Sequence, residues 1–183
     1  AMSAARTIQE LEELGLSGCH LEDQVNPKRC GHLDNKLLVP IDEMTRKISA
    51  AANAKTDPNF MLFARTDARA VEGMDKAIDR AKAYVDAGAD AIFPEAMQDE
   101  NEFETFRRAI DVPMMANMTE FGKSPLLSAS TLAGLGYNLV IYPATTLRLA
   151  MGAIQKGLEE ISKTGTQSGL CLLYTSDAAD DIP

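Results

Sequence analysis

The sequence predicts an α/β fold organised on a parallel sheet. Helical and strand-like segments alternate roughly five times, their connections are mostly short, and most strand segments are apolar throughout, as strands covered on both faces should be. A further feature gives the sheet a polarity. Strand after strand ends, on its C-terminal side, in ionisable or polar side chains: Glu22, Asp23, Arg65, Asp67, Glu95, Asn117 and Thr119. Parallel strands gather such ends on one rim, which is the active-site face of a (β/α)8 barrel and the binding crevice of an open doubly wound sheet. Any one of these residues is also explained as a cap for the next helix. The series as a whole is not.

The segments follow in order. Ile8, Leu11 and Leu14 recur at helical spacing within an amphipathic stretch over 1–15 that Gly15 stops, and Gly18 to Leu21 reads as a short strand running into Glu22-Asp23-Gln24. Asp42 is placed to cap a helix of Glu43 to Ala54 carrying Met44 and Ile48, and Phe60 to Ala64 is a buried-type strand leading to Arg65-Thr66-Asp67. Met74, Ile78, Ala81 and Val85 form a helical stripe closed by Gly88, and Ala91 to Phe93 is a strand ending at Pro94-Glu95. A helix with Phe103, Phe106 and Ile110 precedes the strand Pro113 to Ala116, which runs into Asn117-Met118-Thr119-Glu120-Phe121-Gly122. Ser128 or Ser130 then caps a helix, Leu139 to Tyr142 is the fifth strand, and a last helix spans about Thr146 to Lys163.

At 183 residues, with 45% hydrophobic and 25% charged side chains, the chain has the composition of one globular domain with a real core. A net charge of −9 argues against a nucleic-acid partner, and no apolar run approaches a bilayer span, so neither nucleic acid nor membrane is expected. Cys19, Cys30 and Cys171 are odd in number and lack CxxC spacing, which fits a reducing cytoplasm rather than a disulfide framework or a zinc site.

The segment Pro27-Lys28-Arg29-Cys30-Gly31-His32 carries the densest chemistry: a thiol, an imidazole and two cations beside a glycine. Positive neighbours lower a thiol pKa from about 8.5, so Cys30 is placed to exchange a proton near neutral pH. A loop cysteine among solvated charges is the plain alternative.

A complete barrel takes about 250 residues and eight strands. With about five strands, the chain reads as lacking an N-terminal part. From residue 169 the run that includes Cys171-Leu172-Leu173-Tyr174-Thr175-Ser176-Asp177 continues neither period. It reads as a foreign, unstructured tail over 169–183, behind an incomplete barrel domain over 1–168.

Five motifs in order carry a family resemblance: Leu21-Glu22-Asp23-Gln24, Lys28-Arg29-Cys30-Gly31-His32, Ala64-Arg65-Thr66-Asp67-Ala68, Phe93-Pro94-Glu95-Ala96 and Asn117-Met118-Thr119-Glu120-Phe121-Gly122. On these the chain, from about Ala4 to Gln167, resembles the isocitrate lyase and phosphoenolpyruvate mutase superfamily, in its methylisocitrate lyase group. The resemblance implies a partial (β/α)8 TIM-type barrel, about its last five strands with their helices. It also implies a cytoplasmic homotetramer, a small carboxylate substrate, and Mg2+-assisted retro-aldol cleavage of 2-methylisocitrate to pyruvate and succinate. Isocitrate or dimethylmalate cleavage is the nearest alternative, and a non-catalytic barrel-derived scaffold is the rival of another class.

By resemblance, Cys30 is the general acid, with His32, Arg65 and Glu95 also catalytic. Gly31, His32, Arg65, Glu95, Asn117, Thr119 and Arg148 bind substrate, and Glu22 stands near Mg2+ through water. The same resemblance places the aspartates nearest Mg2+ and a Ser-Gly-Gly-type loop on earlier strands not found in this chain. The polypeptide as it stands is therefore expected to be inactive.

Overall fold

The computed structural model describes residues 1–173. Contacts divide the chain into two units, Ala1–Ile141 and Tyr142–Pro183. In the first unit, α1 (Met2–Glu13), β1 (Gly18–Glu22), α2 (Ile41–Ala54), β2 (Met61–Thr66), α3 (Arg69–Glu72), α4 (Met74–Asp86), β3 (Ala91–Pro94), α5 (Glu100–Ala109), β4 (Met115–Asn117), α6 (Ala129–Leu135) and β5 (Leu139–Ile141) alternate as the periodicities require. The second unit contains α7 (Thr145–Thr164) and a 3-10 helix over Ser168–Leu173, the first residues of the stretch expected to be unstructured. The rest of that stretch, 174–183, lies outside the described residues.

The strands are parallel and stand in sequence order. β2 lies between β1 and β3, β4 pairs with β5, and a parallel bridge between Ile92 and Met114 links the two groups. The order has no reversal, unlike that of a doubly wound sheet. Among the described residues the five strands do not close on themselves.

One face of the sheet meets the helices. Leu62, Ala64, Ile92, Met114 and Ala116 of the strands are buried in one cluster with Ile8, Met44, Ile48, Ala77, Ala81, Phe103, Phe106 and Leu132 of the helices. Gly18, Cys19, His20, Met61, Phe63, Met115 and Leu139 line a cleft of about 400 Å³ along the strands.

Some local expectations are corrected. Asp42 does not cap α2; Pro40 holds the cap position with an extended backbone, and the Asp42 carboxylate instead takes Arg46 Nη1 at 2.7 Å, one turn along. Leu14 falls outside α1 and is exposed. Of the two serines offered for α6, Ser128 is the cap, its Oγ accepting the Thr131 N–H at 3.0 Å, and Ser130 lies inside the helix. The short helix α3 was not foreseen.

Strand alternation sends Glu22 and Asp23 to different partners. Glu22 contacts the rim residues Lys28 and Arg65, whereas Asp23 is fully buried toward α4. Its oxygens accept Thr66 Oγ1 at 2.7 Å, the Asp67 N–H at 2.9 Å and Tyr84 Oη at 2.9 Å, with Arg80 Nη1 at 3.7 Å. Burial raises the Asp23 pKa despite these donors. The carboxyl thus ties the end of β2 to α4, and through the Asp67 amide it fixes the turn that carries the next rim side chain. Replacing Asp23 with alanine strands several buried donors and should cost about 3 kcal/mol, against about 1–2 kcal/mol for Tyr84→Phe, which removes the bond to Asp23 and the one accepted from Arg80 Nη1. Denaturant unfolding of both variants checks this ordering, and equal costs would refute the hub role.

Candidate active site

The ends of β1, β2 and β3 meet at one guanidinium, and the end of β4 joins them through Glu95. Arg65, at the end of β2, has Nε 3.0 Å from Asp67 Oδ2, while its Nη2 lies 3.1 Å from Glu95 Oε2 and 3.6 Å from Glu22 Oε1. Its Cζ stands 5.0 Å from the centre of the Phe93 ring, against which the His20 ring packs edge-on. Asn117, ending β4, donates through Nδ2 to Glu95 Oε2 at 3.2 Å, and its Oδ1 is buried without a hydrogen-bond partner. Glu22, Arg65, Glu95 and Asn117, all expected at the site, are therefore brought together in one linked cluster.

The electrostatics are divided. Burial penalises the charged form of Asp67 and of Glu95. Arg65, with Lys36 for Asp67 and His32 for Glu95, outweighs that penalty and holds both carboxyls below their ordinary values. Burial dominates at Glu22 and raises its pKa, although Lys28 and Arg65 pull the other way. Desolvation opposes the Arg65 charge, but Glu95, Asp67 and Glu22 together raise its pKa.

The Cys30 loop leaves the rim after β1 and returns before α2, with its neck closed by an antiparallel bridge between Gln24 and Leu38 and by Val25 N–H donating to Leu37 O at 2.8 Å. Inside the neck, Gln24 Nε2 donates to Glu22 Oε1 at 2.7 Å and to Arg29 O at 2.9 Å, while its Oε1 accepts the Arg29 N–H. Gly31 is buried against the cluster. A Cβ there would stand 2.4 Å from Glu95 Cγ and 2.6 Å from Arg65 Nη2, so glycine is required for this approach. Lys36, also buried, donates to Gly31 O at 2.5 Å and to Asp67 Oδ1 at 2.9 Å.

His32 joins this loop to the one after β4. Its Nδ1 accepts the Lys123 N–H at 2.9 Å, which leaves Nε2 as the nitrogen that carries hydrogen, and Nε2 lies 3.1 Å from Glu95 Oε1, off the line of a good hydrogen bond. Lys123 Nζ also pairs with Asp34. A Cβ on Gly122 would meet the His32 ring at 2.8 Å, so the two loops interlock through a second glycine.

Cys30 itself is exposed, at the outer side of this contact. Two of the positive neighbours expected around its thiol have other partners: Lys28 Nζ pairs with Glu22 Oε2 at 2.5 Å, and His32 lies between Glu95 and Lys123. Thr119 is half-buried in the loop after β4. Arg148 lies in the first turn of α7, in the second unit, where its N–H donates to Ala144 O.

The sequence marks Asp67 and Gln24 at strand ends without giving either a role, and gives no sign of Lys36 or Lys123. Spacing carries no signal for the last two, because they reach the site from loops. No group of three or more His, Cys, Asp or Glu among the described residues makes a metal site. Glu22, the carboxylate expected near Mg2+, has Lys28 and Gln24 on its two oxygens, and Asp67 is taken by two cations. The described residues therefore do not compose a Mg2+ coordination sphere. No helix among them is long and apolar enough to cross a membrane.

Comparison with known proteins places this geometry. A protein of Corynebacterium glutamicum named probable 2-methylisocitrate lyase 1 is 63% identical over 92% of this chain and 55% of its own length. Further relatives named 2-methylisocitrate lyase are 44–50% identical. The chain spans a little over half the length of these curated relatives. Among solved structures, 2,3-dimethylmalate lyase, titled a PEP mutase/isocitrate lyase superfamily member, superposes with a TM-score of 0.86 at 30% identity, covering 96% of this chain and 58% of that one. A phosphonopyruvate hydrolase complex with oxalate and Mg++ gives 0.81 at 29%, covering 96% and 61%. Residues 1–162, which hold every strand and the whole rim, match the family described as phosphoenolpyruvate phosphomutase, and the chain belongs to that family.

Proposed function

We propose that the whole protein is a carbon-carbon lyase that cleaves 2-methylisocitrate to pyruvate and succinate, with the rim of β1 to β4 as its active-site wall. The observation that carries the reading is the cluster of Glu22, Arg65, Glu95 and Asn117 at successive parallel strand ends, with Gly31 and His32 of the Cys30 loop packed into it. Names shared by the curated relatives select the substrate. Sequential strand order without reversal supports a wall of a (β/α)8 barrel.

The chemistry follows from the residue types. Removing the proton from the substrate hydroxyl lets the bond to the neighbouring carbon break, leaving the pyruvate carbonyl on one side and a carbanion beside a succinate carboxylate on the other. Arg65 is held in place by Asp67 and the Phe93 ring, so its charge is oriented before a substrate carboxylate arrives. Asn117, with a buried amide oxygen that lacks a partner, and Thr119 hold the succinate half. His32 and Glu95 shape the pocket and keep the loop docked. Cys30 delivers the proton that turns the carbanion into succinate, and its thiolate is the base in the condensation direction. No step is assigned to Mg2+, since the residues described do not hold it.

Dimethylmalate or isocitrate cleavage is the alternative, and turnover of the three acids by the whole protein decides among them. Methylisocitrate is expected to give the highest kcat/KM, and preference for either other acid overturns the substrate assignment. In the same protein Cys30→Ser should lower cleavage by about 10²- to 10⁴-fold while leaving ligand affinity nearly unchanged. Unaltered turnover would remove Cys30 from the mechanism and favour a scaffold or a different acid.

A pH prediction comes from Glu95. Its folded pKa lies below the ordinary carboxylate value, so the stability it contributes is complete above about pH 5 and is lost as pH falls through the depressed folded value. The stability difference between the unaltered chain and Glu95→Gln should therefore narrow on acidification below that point. Urea unfolding at stepped pH measures it, and a gap that widens toward acid contradicts the assigned electrostatics.

A further inference from the structure

We propose that Lys36 is a positioning residue of the active site, its ammonium setting the Cys30 loop in register with the Arg65 guanidinium. The inference rests on reading the rim as the lyase site.

Lys36 lies outside all five motifs and follows Asn35, whose φ of 60° turns the chain inward. Its side chain is 1% exposed. Burying an ammonium costs several kcal/mol unless its hydrogens are well placed. Both partners found for this one belong to the site. Nζ donates to the carbonyl of Gly31, between Cys30 and His32, and to Asp67 Oδ1. The other oxygen of Asp67 accepts Arg65 Nε at 3.0 Å. One carboxylate thus stands between two cations, one holding the loop and the other facing the substrate pocket.

The remaining loop anchors do different work. Gln24 fixes Arg29 on one flank, and the Lys123 amide fixes His32 on the other. Lys36 joins the loop backbone to Arg65 through Asp67. Removing its charge leaves the Gly31 carbonyl without its donor and frees Asp67 to rotate, which would displace Cys30 and Arg65 relative to each other. Misplacement on the order of 1 Å is enough to lower a rate about 10²-fold. Lys36 does not touch the reacting atoms in this arrangement, so its effect acts through the groups it holds.

Lys36→Met keeps the length of the side chain and removes its charge and donors. Lys36→Arg keeps a cation. Lys55→Met breaks the Lys55–Asp90 pair, 2.5 Å long and away from the rim, and serves as the comparison for an ordinary ion pair. In the whole protein, amide exchange would be read at Leu33, whose N–H donates to Cys30 O, and at Ala64 in β2, alongside kcat and KM for methylisocitrate.

Lys36→Met should speed exchange at Leu33 by about tenfold or more and lower kcat by a similar factor, with β2 exchange unchanged. Lys36→Arg should restore part of both, and Lys55→Met should produce neither. Unchanged Leu33 exchange, or a rise shared equally by β2, overturns the proposal. If Lys36→Met does not fold, Asp67→Asn weakens the same bridge from its other side, and the same loop response or its absence decides. A loop that responds in a protein turning over none of the three acids sinks the lyase reading and leaves the positioning role standing. Normal turnover with an unresponsive loop does the reverse.

Discussion

One buried guanidinium organises the rim. Arg65 lies within ion-pair distance of Asp67, Glu95 and Glu22, and each of those carboxylates comes from a different part of the chain. A charge so far out of water is tolerable only if its partners are in place, and the carboxylates are tolerable only if Arg65 is. The strand ends are therefore fixed relative to one another by mutual need, in addition to the ladder bonds of the sheet. Behind them Asp23 performs the same task for the helical side, joining Thr66, the Asp67 amide and Tyr84.

Much of this was legible in the sequence because strand geometry is periodic. Apolar strands followed by polar ends place Glu22, Arg65, Glu95 and Asn117 on one rim without any knowledge of contacts. Gly31 and His32 were legible through the motif, and the glycine proves sterically necessary, with Glu95 and Arg65 where a Cβ would be. Loop residues outside the motifs were not legible. Lys36 and Lys123 enter the site through turns whose direction depends on tertiary closure, and a lysine in a polar loop reads as solvated until its surroundings are known. The same limit explains Cys30. Adjacent charges in sequence suggested a cationic cradle for the thiol, yet Lys28 reaches Glu22 and His32 reaches Glu95, because carboxylates on the rim compete for the same cations.

The cap error at α2 has a local cause. Asp42 is a residue type that favours helix starts, but Pro40 is better placed by the backbone, whereas at α6 one of the two serines offered, Ser128, holds the cap. Composition ranks candidates for a cap. Backbone dihedrals choose among them.

Charge balance on the rim sets a condition for the proposed substrate. Lys28, Lys36 and Arg65 face Glu22, Asp67 and Glu95, so the formal charges of these six cancel. A tricarboxylate entering beside them brings about three negative charges into a region where desolvation already raises the pKa of Glu22. Either the acid displaces a rim carboxylate from Arg65 or it is met by positive charge beyond these residues. With three cations matched to three carboxylates, affinity for a polyanion calls for positive charge beyond Arg65.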